Sequence, residues 1–133
     1  LFPYTTLFRS PQLFIGSGVG MTPLVSMFKK AASLNVPTQM IQAVVTEDER
    51  PFAQKLDSIT DNYEQAQLHL HVKDKEGYLE AKELEQYLSE QPEIYICGGT
   101  KFLHSIINSL KELNYDMNHV HFETFIPRLS VQV

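Results

Sequence analysis

Two glycine-rich turns are the segments of this sequence best suited to hold a ligand. Residues 16–20 read GSGVG, and Gly98 and Gly99 form a second glycine pair. Glycine reaches positive φ values and lets a ligand approach the backbone closely. Thr22 is a good helix N-cap and Pro23 suits the first helical position, so a helix beginning there would direct unpaired N–H groups at a diphosphate. The two turns therefore predict a site for a phosphate-bearing ligand.

Hydrophobic periodicity places each glycine turn directly after a predicted strand. Apolar runs predict five strands, at residues 12–15, 39–45, 68–73, 94–97 and 120–125. Stripes of helical period predict one helix that begins at Thr22 and three more that contain residues 52–59, 84–88 and 102–110. Strands that alternate with helices in this way predict an α/β fold, a five-stranded parallel doubly wound sheet with helices on both faces.

The burial pattern of each strand predicts the strand order. The first, second and fourth strands are nearly continuous apolar runs, which is typical of strands buried on both faces. The third and fifth strands alternate, as where Val120 and Phe122 are interleaved with His119 and His121, and this pattern indicates sheet edges. The order 3-2-1-4-5 is consistent with the burial patterns of all five strands. It brings both glycine turns to the crevice between strands one and four, where doubly wound sheets bind ligands.

Composition limits the classes of protein to which the chain can belong. Its 133 residues allow one domain, and a net charge of −5 argues against a nucleic-acid or anionic membrane surface. No apolar run approaches the length of a membrane span. Cys97 is the single cysteine, so no internal disulfide can form and we expect a cytoplasmic protein.

The first glycine turn departs from the usual dinucleotide-binding fingerprint, which would place a third glycine where Met21 stands. The string GSGVG also matches the turn of many S-adenosylmethionine-dependent methyltransferases. Those proteins usually carry an acidic residue just ahead of the glycines, whereas this strand reads QLFI. A methyltransferase-like domain and a non-catalytic nucleotide-binding domain therefore stay as alternatives.

Three further motifs occur in order along the chain. Residues 17–23 (SGVGMTP) resemble the G-x-G-x-T-P turn of the ferredoxin–NADP reductase superfamily. Residues 95–102 (YICGGTKF) resemble its Y-x-C-G-P-x-x-F motif, and residues 121–125 (HFETF) resemble its terminal H-x-E-x-F strand. The resemblance covers residues 11–127. Within the superfamily, this segment is similar to the C-terminal domain of flavohaemoglobins and of oxygenase reductase components.

This resemblance implies an oxidoreductase that transfers hydride from NAD(P)H to FAD on a separate β-barrel domain. Electrons would then pass singly to a haem, an iron–sulfur centre or a ferredoxin. The catalytic residues implied are Cys97 beside the nicotinamide, and Glu123 and Phe125 toward the flavin. The cofactor-binding residues implied are Gly18, Val19, Gly20, Thr22, Pro23, Thr46, Arg50, Cys97, Gly98, Gly99 and Phe102.

Several positions depart from the family pattern or lie outside it. Gly99 replaces the usual proline, which predicts a looser loop, and the family's flavin-binding R-x-Y-S signature is absent, so we expect the FAD-binding domain to be missing. Residues 1–10 (LFPYTTLFRS) resemble a translated sequencing adapter, so we expect the NAD(P)H-binding domain to occupy residues 11–133.

Charged loops and histidine pairs complete the predictions. The loop of residues 46–50 (TEDER) is mostly acidic, and repulsion between Asp48 or Glu49 and a 2′-phosphate would favour NADH over NADPH. The cations at residues 50, 73 and 75 could reverse this preference. Two histidine pairs, at residues 69 and 71 and at residues 119 and 121, fall on opposite sheet edges without a third ligand nearby. We therefore predict structural histidines and no metal site.

Overall fold

One parallel β-sheet organises the molecule. The computed structural model describes residues 10–124, without the side chain of Val19. Its strands lie in the order β3-β2-β1-β4-β5, which confirms the predicted fold and strand order. The strands are β1 Gln12–Ser17, β2 Thr38–Val44, β3 Ala66–Val72, β4 Glu93–Gly98 and β5 Val120–Thr124.

Helices and short helical turns connect the strands. The α-helices are α1 Thr22–Ser33, α2 Ala53–Asn62, α3 Lys73–Glu76, α4 Ala81–Leu84 and α5 Thr100–Glu112. Single 3-10 turns cover Gly18–Met21, Glu85–Tyr87 and Met117–His119. No helix within residues 10–124 is both long and apolar enough to cross a lipid bilayer.

The start of α1 and the predicted third helix differ from expectation. Met21, not Thr22, is the N-cap of α1, because the 3-10 turn Gly18–Met21 leads directly into the helix. The third helix is only the single turn α4, which continues as the 3-10 turn Glu85–Tyr87. The one-turn helix α3 was not predicted, since its four residues are all charged and show no apolar stripe.

Two apolar clusters fill the space on either side of the sheet. On the face that carries α1 and α2, Phe14 is fully buried, stacks on Tyr95 at a centroid distance of 5.3 Å and meets the ring edge of Phe28. On the opposite face, Leu13 and Ile15 pack in the cluster that includes the buried side of α5. Successive residues of a strand point to opposite faces, so the continuous apolar run of β1 supplies both clusters.

The edge strands are more exposed to solvent than the central strands, as predicted, but the pattern predicted for β5 is wrong at Phe122 and at His121. Val120 is buried on the α5 side, whereas Phe122 is 53% exposed. His121 instead packs on the sheet and stacks on Tyr95 at a centroid distance of 4.8 Å. An edge strand has a neighbour on one side only, and Phe122 lies outside the cluster that buries Val120.

Candidate functional site

The two glycine turns meet at the carboxyl ends of β1 and β4. These strands are parallel neighbours, and Gly16 is paired in register with Cys97. Gly18, just beyond β1, has a φ of +60°, a conformation that glycine adopts without strain. A Cβ atom on Gly98 would lie 2.7 Å from Ser17 Oγ and 2.6 Å from Phe102 Cδ2. A glycine at this position therefore lets the two turns and the start of α5 close on one another.

A cavity of about 750 Å³ opens beside these turns. It extends over the carboxyl ends of β1, β2 and β3, and the N-terminal half of α5 forms one wall. Ser17 and Gly18 line it at the switch point, and Tyr78 and Leu79 line it at the far end. The cavity falls within the size range of small-molecule and cofactor sites.

Only some of the predicted cofactor-binding residues reach this cavity. Gly18 and Phe102 line it. Gly20 is buried within the 3-10 turn Gly18–Met21, and at the start of α1 Thr22 is exposed and Pro23 is half-buried. The side chain of Val19 and all of Phe125 lie outside the described residues.

Thr46 and Arg50 do not line the cavity, and their side chains have partners within the protein. Arg50 donates from Nε to Gln42 Oε1 over 3.2 Å and pairs with Asp57 Oδ1 on α2 over 3.0 Å. Gln42 in turn donates to the Pro51 carbonyl, while the Thr46 hydroxyl donates to Glu49. From this loop the cavity receives Glu49 and Pro51.

Cys97 is a buried thiol at the end of β4, paired in register with Glu123 of β5. Burial, together with repulsion from the nearby Glu123 carboxylate, raises the pKa of Cys97 to about 12. The side chain is therefore protonated at neutral pH. A protonated thiol offers an apolar, polarizable surface and is a poor nucleophile.

Sequence reasoning missed the cavity residues at the end of β3 and just after it. His71 is 8% exposed, Tyr78 is 68% exposed, and both line the cavity. The Lys73 ammonium lies 4.5 Å from the centre of the Tyr78 ring. All parallel strands end at the same edge of the sheet, so the residues after the third strand belong to the same site. That rule could have identified the residues after β3 from the sequence.

The other histidines of the two predicted pairs have protein partners. His69 bonds to Gln39, and His119 and His121 both bond to Glu93. Burial lowers the pKa of His69. Within residues 10–124, no group of three metal-ligating side chains converges.

Comparison with known proteins identifies the family. The model of the oxidoreductase NAD-binding domain matches residues 14–107. The chain belongs to this family. It is 26% identical to Flavohemoprotein B of Dictyostelium discoideum, over 92% of this chain and 32% of that protein. It is 28% identical to the glycine betaine monooxygenase reductase subunit of Chromohalobacter salexigens, over 85% of this chain and 34% of that protein.

Solved structures share the fold. The flavohaem-like FAD/NAD-binding domain of nitric oxide dioxygenase from Vibrio cholerae O1 biovar El Tor superposes with a TM-score of 0.78 at 23% identity, over 90% of this chain and 52% of that one. Ferredoxin-NADP+ reductase from Plasmodium falciparum superposes with a TM-score of 0.74 at 18% identity, over 93% and 55%. The predicted resemblance to this superfamily is confirmed, and the chain spans about a third of the length of the curated relatives it matches.

Proposed function

We propose that this domain binds NAD(P)H and delivers its hydride to an FAD held by a β-barrel domain. Electrons would then pass singly to a haem, an iron–sulfur centre or a ferredoxin. The observation that carries the proposal is the cavity across the carboxyl ends of β1, β2 and β3, which begins at the glycine turn. The family match favours a nicotinamide nucleotide over S-adenosylmethionine as its ligand.

The cavity has chemistry suited to the parts of a dinucleotide. Ser17 and Gly18 would hold the diphosphate, with the first turn of α1 behind them. Lys101 lines the same cavity from the first turn of α5, where its charge adds to the positive end of the helix dipole. At the far end, the exposed Tyr78 ring and the buried Leu79 offer an apolar surface for the adenine.

The nicotinamide would lie at the end of β4, against residues 97–99. The ring supplies the hydride, which goes to flavin N5. Cys97 would present a neutral, polarizable side chain to the ring. Glu123, beside Cys97, and Phe125 would face the flavin and help to position it.

Charge at the cavity supports a preference for NADH. Glu49 lines the cavity, so its carboxylate would repel a 2′-phosphate. Three nearby cations, one in the loop of residues 46–50 and two in α3, are engaged within the protein: Arg50 with Asp57, Lys75 with Glu47, and Lys73 over the Tyr78 ring. A 2′-phosphate would have to compete with these partners.

Calorimetric titration of the chain with NADH, NADPH and S-adenosylmethionine tests the proposal. We expect both nicotinamide nucleotides to bind, NADH more tightly, and S-adenosylmethionine not to bind. Binding of S-adenosylmethionine alone would contradict the reductase assignment.

Substitution of Glu49 tests the basis of the NADH preference. In Glu49→Gln we expect the ratio of NADPH to NADH affinity to rise about fivefold, because one unit of repulsion near the phosphate is lost. Asp48→Asn removes the same charge from the adjacent exposed position, which does not line the cavity, and serves as the matched control. An equal effect of both variants would indicate a general change in loop charge.

A further inference from the structure

His71 is a buried titratable residue that has no role in the proposed hydride transfer. It lies near the end of β3 and lines the cavity. Its Nε2 atom is 2.9 Å from the carbonyl oxygen of Gly77. A carbonyl can only accept a hydrogen bond, so Nε2 must carry the proton and donate it. The imidazole therefore ties the end of the strand to the loop that follows α3.

The segment 77–79 is held at both of its ends. Gly77 has a φ of +77°, which side-chain-bearing residues rarely adopt, and its N–H donates to the Lys73 carbonyl. Two residues later, Leu79 is 6% exposed within the apolar cluster on the α5 side. Tyr78 lies between these anchors, with Lys73 over its ring and most of its side chain exposed at the cavity.

We propose that His71 is a positioning residue that fixes the Tyr78 ring as a stacking surface for the adenine base of the nucleotide. The proposal rests on the proposed nucleotide site. Without the bond from Nε2, the Gly77 carbonyl loses its buried donor, and the Gly77 turn keeps only the neighbouring bond from the Val72 N–H to Glu76 Oε2 as a side-chain tie to β3. The ring would then sample more orientations, and a base would have to order it on binding.

The test measures binding of AMP, which carries only the adenosine end of the nucleotide, by calorimetry on the full chain. His71→Phe keeps a ring but removes the donor, whereas His71→Gln retains an N–H near the position of Nε2. His69→Phe is the matched control, because His69 lies two residues earlier on β3, points to the same face and bonds to Gln39 rather than to the loop. The same substitutions are then measured in a chain that also carries Tyr78→Ala.

We expect His71→Phe to weaken AMP binding about tenfold and His71→Gln or His69→Phe by less than about twofold, given the usual contribution of base stacking. In the Tyr78→Ala background, His71→Phe should have almost no additional effect. Equal AMP affinity of His71→Phe and the unsubstituted chain would overturn the proposal, as would an equal loss in His69→Phe. Failure of the unsubstituted chain to bind any nucleotide would instead overturn the proposed function.

A second measurement needs no ligand. Hydrogen exchange at the Tyr78 and Leu79 amides should accelerate about tenfold in His71→Phe and stay unchanged in His71→Gln, because the loop opens locally when its tie is lost. Unchanged exchange in His71→Phe would show that Leu79 and the Gly77 turn hold the loop alone, and the positioning role would be wrong.

Discussion

Gly98 and Gly99 are neighbours that meet different steric demands. A Cβ on Gly98 would lie 2.6 Å from Phe102 Cδ2, whereas a Cβ on Gly99 would meet no atom within 4 Å. Gly99 also has a φ of −69°, close to the value that a proline ring imposes. Although the sequence predicts a looser loop at Gly99, its backbone already has the shape of the family's proline.

Substitution at the two positions should therefore have opposite results. We expect Gly98→Ala to lower the free energy of unfolding by about 1–3 kcal/mol, because neighbouring atoms must move to admit the methyl group. Gly99→Pro should leave it unchanged or raise it by about 0.5 kcal/mol, because it restricts the unfolded chain. Urea denaturation followed by circular dichroism measures both values, and equal losses would contradict the steric account.

Cys97 gives a chemical test of burial at the site. With the pKa of its thiol raised to about 12, the folded chain should react with iodoacetamide about a thousandfold more slowly than the chain in urea. Mass spectrometry at mildly alkaline pH measures both rates. Rapid labelling of the folded chain would show that the end of β4 opens to solvent or that the thiol ionises readily.

At the scale of elements, Glu93 joins the beginning of β4 to the beginning of β5. Its two carboxylate oxygens bond to His119 Nδ1 and His121 Nε2, each over 2.9 Å, and Glu93 is 7% exposed. Asp116 lies 3.6 Å from the other ring nitrogen of His119. An edge strand has sheet hydrogen bonds on one side only, so these contacts add to the attachment of β5.

This cluster predicts a pH dependence of stability. The hydrogen bond and the attraction from Glu93 raise the pKa of His119 above its ordinary value of 6.5. The folded chain therefore binds this proton more tightly than the unfolded chain, and the resulting stability is complete below 6.5 and lost as the pH rises through the folded value.

Thermal unfolding of the unsubstituted chain and of His119→Asn, from below pH 6.5 to above the folded pKa of His119, measures this pH-dependent stability. We expect the difference between their unfolding midpoints to shrink as the pH rises. A difference that stays constant with pH would show that protonated His119 contributes nothing to the attachment of β5.

The strand order was predictable from sequence because burial on one or both faces leaves a direct pattern in each strand. The short helices were not predictable. Helix α4 begins at a capping box in which Glu80 takes the place usually held by serine or threonine, and α3 has only four residues. The orientation of the Arg50 side chain was also not predictable from sequence. It depends on Asp57, one helical turn into α2, and on Gln42 of β2.

At the scale of the whole molecule, the two apolar clusters share their central strands. Residues 13–15 of β1 and residues 94–96 of β4 alternate between the two faces, so neither cluster can be lost while the other keeps its sheet. We expect a single cooperative unfolding transition.

Two probes distinguish this expectation from stepwise unfolding. The chain has six tyrosines and no tryptophan, so tyrosine fluorescence reports tertiary packing while far-ultraviolet circular dichroism reports the helices and sheet. The two urea transitions should coincide. Separate midpoints would show that one helical layer leaves the sheet before the other.

The pairing of Arg50 with Asp57 has an evolutionary consequence. A guanidinium is the group that accommodates a 2′-phosphate, and this loop already contains one, held by a carboxylate on a helix that does not line the cavity. Loss of that carboxylate would leave the guanidinium with Gln42 as its side-chain partner, so that no new cation would be required. Under the proposed function, a change of coenzyme preference could therefore begin at Asp57, an exposed position outside the cavity, before any residue that lines the cavity changes.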